Sequence, residues 1–251
     1  MNRWTITMQA EKGIPSPYWG SLLHGMLVER LPREWQERLH DGGSRPFSQW
    51  VEPGEGAALR WHLSVLDDGL AAAIEPLLKA GERWPCKHLQ GDFILGEVQG
   101  EHLTVQAYMK PFFLSETAPP RLRLSLLTTT THKTQGEYAL FPSVELIARG
   151  LRARLCDMEP GMVLSDDEVL EQIISRTRIA RYRLQSGSFA LEGARVQGYT
   201  GHVDLSIQGP DPLIRLANVL YCFAPWCGVG IKTALGMGGC RIEPIEYGRN
   251  K

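Results

Sequence analysis

The stretch at residues 114–120, Leu-Ser-Glu-Thr-Ala-Pro-Pro, constrains this chain more than any other. Two adjacent prolines in a polar run without apolar periodicity cannot support a packed element. They therefore predict a linker that divides the 251 residues into parts at 1–113 and 121–251. Each part has the size of an ordinary domain and enough apolar sequence for its own core.

The first part opens on a strand, because residues 3–8 alternate polar and apolar side chains. Ser16 and Pro17 then supply a helix cap and a first-turn proline before the run Trp19, Leu22, Leu23, Met26, Leu27. Pro32 interrupts that run, and a second short helix with Trp35 and Leu39 should close at Asp41-Gly42-Gly43. Further on, a strand is predicted at 59–66, a helix at 67–80, and a strand pair at 91–98 and 102–109 joined at Gly100. The order β-α-β-α-β-β is close to a ferredoxin-like unit. Beyond the linker, residues 121–127 alternate as an edge-capable strand would, and Ser143 caps a helix whose apolar face carries Val144, Ile147, Leu151 and Leu155. Ser165 with Glu168 reads as a capping box. Strands follow at 179–184 and 195–207, and Asp211-Pro212 opens a last helix stopped by Pro225. The second part repeats the first in kind, so the expected class is α+β with two tandem ferredoxin-like, or RRM-like, domains.

The net charge of −1 provides no overall pull toward nucleic acid, so any such site must be a local patch. Residues 176–183, RTRIARYR, form one candidate, with Arg176, Arg178, Arg181 and Arg183 and no acid; Arg149 and Arg152 on the preceding helix could extend it. The same charges also suit a solvated face. No apolar run approaches the roughly 20 residues of a membrane span, and residues 1–10 alternate instead of forming a secretory leader. Five widely scattered cysteines read as reduced thiols. A cytoplasmic protein with no membrane partner is expected.

Residues 227–242, CGVGIKTALGMGGCRI, are the most informative for function, with glycines at 228, 230, 236, 238 and 239. Lys232-Thr233 follows Ile231, so the glycine that a P-loop needs before its lysine is missing. The spacing after Gly228 and Gly230 fails the dinucleotide fingerprint as well. Two readings remain: a bulged hairpin, or a loop whose amides approach a phosphate chain with help from Lys232 and Thr233. No Cys-x-x-Cys or His-x-His pair accompanies the cysteines and no Gly-x-Ser-x-Gly elbow is present, so a metal site and a serine nucleophile are both poorly supported. Acid pairs such as Asp67-Asp68 and Asp166-Asp167 fall at helix starts, where capping explains them. That leaves histidines, arginines and lysines as the ionisable groups for catalysis, of which histidine suits proton transfer at neutral pH. His40 stands beside a glycine turn and five residues before Arg45, placing a titratable base near a fixed cation; His24 on the first helix is its competitor.

GVGIKTALGMGG resembles the C-terminal signature of the CRISPR-associated endoribonucleases that process precursor CRISPR RNA, a family of the RAMP superfamily. ERLHDGGSRPFS, THKTQGEYALFPSVELIARGLRARL, and GYTGHVDLSIQG followed by LANVLYCFAPWCGVG resemble the same family, in the same order along both parts. The resemblance implies two ferredoxin-like domains with RNA held between them and against the glycine-rich loop. It implies cleavage by the ribose 2′-hydroxyl on the adjacent phosphate, giving a 2′,3′-cyclic phosphate and a 5′-hydroxyl, with no metal or cofactor expected. The family's histidine falls on His40 and its supporting cation at or near Arg45, whereas the first-helix tyrosine of some members has no counterpart at Gly25 or Val28, so His24 is the candidate for that role. CRISPR repeat RNA is the implied partner, with other CRISPR effector subunits in a shared complex. Two rivals stand beside this expectation: a non-cutting RNA-binding RAMP subunit, which would not depend on His40, and a nucleotide-using enzyme, which the two failed phosphate fingerprints disfavour.

Overall fold

The computed structural model describes residues 1–40, 46–191 and 193–246. The chain divides into two compact units. The first comprises Met1–Leu103 with two later segments, Phe189–Arg195 and Lys232–Met237; the second comprises Thr104–Ser188, Val196–Ile231 and Gly238–Lys251. The division thus falls ahead of the proline-rich stretch at 114–120.

The first unit runs β1 (Asn2–Ala10), α1 (Gly20–Arg30), α2 (Arg33–His40), β2 (Phe47–Pro53), β3 (Ala58–Val65), α3 (Asp68–Ile74), β4 (Arg83–Cys86) and β5 (Gly91–His102). Its antiparallel sheet has the strand order β2-β3-β1-β5-β4. Without the edge strand β4 this is the β-α-β-β-α-β arrangement of a ferredoxin-like fold, with β1 and β3 in the centre. The sheet buries one row of each strand, so Trp4, Ile6 and Met8 of β1 meet Leu59, Trp61 and Leu63 of β3, and Leu23 and Leu27 of α1 cover them. Burying one such side chain stabilises the fold by about 1.5–3 kcal/mol. Ser16 does cap the entry, accepting from the Tyr18 amide, but the turn it starts is a 3-10 helix at Pro17–Trp19 that leads into α1.

Two expectations for this unit need correction. The strand β2 was not foreseen, because its sequence FSQWVEP contains Gln49 at a buried position where period-two reading expects an apolar residue. The expected strand at 102–109 is instead the end of a long β5 followed by a helix, α4 (Val105–Leu114), which Thr104 caps by accepting from Ala107. The cap overrides the strand tendency of Val105 and Tyr108.

The second unit continues from α4 with β6 (Arg121–Thr130), β7 (His132–Thr134), β8 (Glu137–Ala139), α5 (Val144–Met158), α6 (Asp167–Arg176), β9 (Thr177–Leu191), β10 (Ala194–Ile207), α7 (Asp211–Cys222), α8 (Ala224–Cys227) and β11 (Cys240–Pro244). Its main sheet has the order β11-β6-β10-β9, and the hairpin β7–β8 stands apart. Again the two central strands are the first and third of the fold, so both units share the ferredoxin-like plan. Arg123 of β6 faces Asp204 of β10 in register and binds its carboxylate through two nitrogens, at 2.7 and 2.9 Å. Asp204 is only 1% exposed, so this bidentate pair pins the register from inside the sheet. The cap of α6 is Asp166, which accepts from the Glu168 amide; Ser165 closes the preceding turn, one residue off the expected capping box.

Candidate nucleic-acid interface and proton-transfer site

The glycine-rich stretch is built from close packing. A Cβ on Gly230 would lie 2.1 Å from the carbonyl oxygen of Thr131, and one on Gly238 would lie 2.1 Å from that of Val229. Both glycines also hold positive φ, at 84° and 70°. A Cβ on Gly236 would lie 2.9 Å from Gly20 Cα and 3.2 Å from the Phe189 ring. The amides are largely committed to the protein: Gly228 donates to Ala224, Val229 to Gly238, Ile231 to Thr131, Gly238 to Thr129, and Gly239 to the Thr128 hydroxyl. The glycines at 228, 236, 238 and 239 are buried. Close approach is therefore what they provide, but toward neighbouring backbone.

The side chain this packing presents is Lys232. It is exposed and held at φ +57°, where a residue with a Cβ is disfavoured by roughly 1–2 kcal/mol. Its carbonyl accepts from Leu235 at 2.9 Å, closing the short 3-10 turn Thr233–Leu235, in which Thr233 is buried. Two further residues fix this stretch. Arg154 of α5 donates to the carbonyls of Cys227 and Gly230. In the first unit, Gln49 of β2 donates to Gly20 at 2.9 Å and Ala234 at 2.7 Å, while its carbonyl oxygen accepts from the Trp61 indole. One buried amide thereby ties the start of α1 to the turn behind Lys232, with every strong bond made. Sequence reading missed both. Arg154 shares its helix with the Arg149 and Arg152 that were singled out, and only packing tells the three apart. Gln49 lay in the unforeseen strand.

His40 is exposed at the last position of α2, whose Trp35 and Leu39 anchor it in the core. His24 is half-buried on α1, its ring stacked on Phe47 at 5.6 Å between centroids and 11° between planes. Arg45 and the Asp41-Gly42-Gly43 turn lie outside the described residues.

The six arginines read as one path differ in their surroundings. Arg149 is bound to Glu145 at 2.9 Å and to Glu171, and Arg152 to Asp167 and the Ser165 carbonyl. The neighbouring carboxylates raise both guanidinium pKa values, a sign of local pairing. Strand alternation splits the others: Arg178 shares a face of β9 with Ala180 and Tyr182, whereas Arg181 and Arg183 point the opposite way, and Arg176 ends α6. All four are exposed. Among the described residues no group of three or more His, Cys, Asp or Glu side chains could hold a metal ion, and no helix is long and apolar enough to cross a membrane.

Residues 124–240 match the sequence profile of the family described as CRISPR-associated endoribonuclease Cas6. The CRISPR-associated endoribonuclease Cas6 of Mycobacterium tuberculosis is 26% identical over 98% of this chain and 79% of its own length. That of Streptococcus thermophilus is 26% identical over 88% of this chain and 89% of its own. A solved Cas6 product complex superposes with a TM-score of 0.78 at 23% identity, covering 96% of this chain and 99% of the other. In sequence and in fold, this chain is similar to the CRISPR-associated endoribonucleases Cas6.

Proposed function

We propose that this chain is an endoribonuclease that cuts CRISPR repeat RNA without a metal ion, using the ribose 2′-hydroxyl as nucleophile. The observation that carries the reading is the similarity to named Cas6 endoribonucleases over nearly the whole chain, which includes the stretch around His40. Local geometry supports it. An exposed imidazole on a rigid helix end can meet a substrate, and an exposed lysine kept in a strained backbone conformation where glycine would fit is a residue retained for its side chain.

In this mechanism the 2′-oxygen attacks the adjacent phosphorus and the bond from phosphorus to the 5′-oxygen breaks. The attacking hydroxyl loses a proton and the leaving oxygen gains one. His40 carries out one of these transfers, which typically contributes about 10²- to 10⁴-fold. Arg45 and Lys232 oppose charge on the phosphoryl oxygens. Thr233 and the glycines at 228, 230, 236, 238 and 239 set the position of Lys232, and the exposed arginines at 176, 178, 181 and 183 supply the local positive field that the net charge lacks.

The test is single-turnover cleavage of a repeat RNA with analysis of the ends. Products should carry a 2′,3′-cyclic phosphate and a 5′-hydroxyl, form equally in chelator, and fail to form from RNA with a 2′-deoxyribose just upstream of the cut. His40→Ala should slow cleavage at least roughly tenfold with binding largely intact. Cleavage of the deoxy substrate or loss of activity in chelator would refute the mechanism. Full activity in His40→Ala alongside loss in His24→Ala would move the proton transfer to His24, and a wild-type chain that binds the RNA uncut would leave the non-cutting subunit.

A further inference from the structure

Within the second unit, Tyr182 of β9 is 60% exposed and Phe141, in the segment before α5, is 52% exposed. Their rings meet edge to face, with centroids 5.3 Å apart and planes at 88°. Tyr138 and Leu140, close to Phe141 in the chain, are exposed as well, at 41% and 57%. A single exposed aromatic residue needs no explanation. Two rings from separate segments held edge to face in solvent do, because the contact restricts the orientation of each ring.

Charge selects the occupant. The strand TRIARYRLQSGSFAL carries Arg178, Arg181 and Arg183 without one Asp or Glu, and β9 is an edge of its sheet. Arginines on an edge strand can be explained as protection against pairing with another chain. The aromatic pair cannot, since exposed rings make an edge more adhesive. Rings interleaved with guanidinium groups are what an unpaired nucleic-acid strand binds: bases stack on the aromatic faces while phosphates meet the cations. Arg178 lies on the Tyr182 face of β9, four residues along, which at about 3.3 Å per residue is roughly 13 Å of strand. That spacing allows one RNA segment to meet both groups.

We propose that the Phe141–Tyr182 pair is a stacking platform for an unpaired nucleobase of the RNA, with Arg178 contacting the phosphate backbone beside it. The proposal rests on the endoribonuclease reading and adds a subsite that selects unpaired segments by their bases.

It is tested by binding of repeat RNA with single-stranded flanks to the full chain at several salt concentrations. Tyr182→Ala should weaken affinity about tenfold, the scale of one lost base–aromatic stack, and leave the salt slope unchanged. Tyr182→Trp should restore it. Arg178→Ala should instead flatten the log–log salt slope by about 0.7, the signature of one phosphate contact on a single strand. RNA made abasic in its unpaired segments should bind wild type and Tyr182→Ala equally. Wild-type affinity in the Phe141→Ala, Tyr182→Ala double variant, with its melting temperature unchanged, overturns the platform. The same holds if that variant loses only association with another protein. Either result leaves the endoribonuclease reading standing if the wild type still cuts, whereas a wild type that neither binds nor cuts refutes that reading itself.

Discussion

Lowering the pH from 7 to 4 should remove about 3 kcal/mol from the stability of the second unit through one side chain, His132. This residue opens β7, pairs with Ala139 across the hairpin, and is 6% exposed at the end of the buried run Thr128, Thr129, Thr130, Thr131. Neither ring nitrogen has a hydrogen-bond partner. Burial first, and the Arg154 guanidinium second, press its pKa from 6.5 down to about 4. Above pH 6.5 the ring is neutral in both folded and unfolded chains and contributes no pH dependence. Between 6.5 and 4 the unfolded chain takes up a proton that the folded one refuses, so stability falls by about 1.4 kcal/mol for each unit of acidification. Below about 4 both states are protonated and the loss levels off. Carboxylates titrate in the same window, so the measurement is a difference: urea unfolding of wild type and His132→Leu at pH 7, 6, 5 and 4. The stability of the wild type relative to the variant should decline by about 3 kcal/mol over that span. Parallel curves would show that the ring is hydrated or hydrogen-bonded in the folded protein, and would refute the reasoning.

Lys232→Ala should weaken RNA binding and reduce the salt slope by about 0.7 to 0.9, whereas Arg149→Ala, already paired with Glu145 and Glu171, should leave both unchanged; an equal effect of the two in a binding titration would contradict the assignment. Gln49→Glu places a carboxylate oxygen against the carbonyls of Gly20 and Ala234 in a site 1% exposed, and should destabilise the chain by about 3 kcal/mol or more, read as a fall in melting temperature. Melting within a degree of wild type would remove Gln49 as the tie between α1 and the turn behind Lys232.

The elements that sequence made legible were those with a local physical cause. Ser143 accepts from the Leu146 amide where a cap was expected, and the helix behind it buries Ile147, Leu151 and Leu155 on the predicted face. The strand at β6 and the helix at α7 likewise follow from alternation and from Asp211-Pro212. What local pattern could not supply was the partner of each polar group. Gln49 interrupts the apolar rhythm of β2 because its partners, Gly20 and Ala234, are brought to it only by the fold.

The same limit governs the glycine-rich stretch. Its composition rightly marked it as a place where backbone comes close to something, but a glycine's freedom is silent about what approaches. Thr131 and Val229 carbonyls occupy the space that a phosphate would have filled at Gly230 and Gly238. In the function proposed above, contact with substrate falls instead to the exposed side chain of Lys232, which is held at positive φ. A run of charges is divided for a related reason. RTRIARYR reads as one patch along the chain, yet a strand turns successive side chains to opposite faces, so Arg178 keeps company with Tyr182 while Arg181 and Arg183 look the other way. In the platform proposed above, the unit that meets RNA is therefore one face of β9, on which Tyr182 offers a ring to a base and Arg178 a charge to a phosphate.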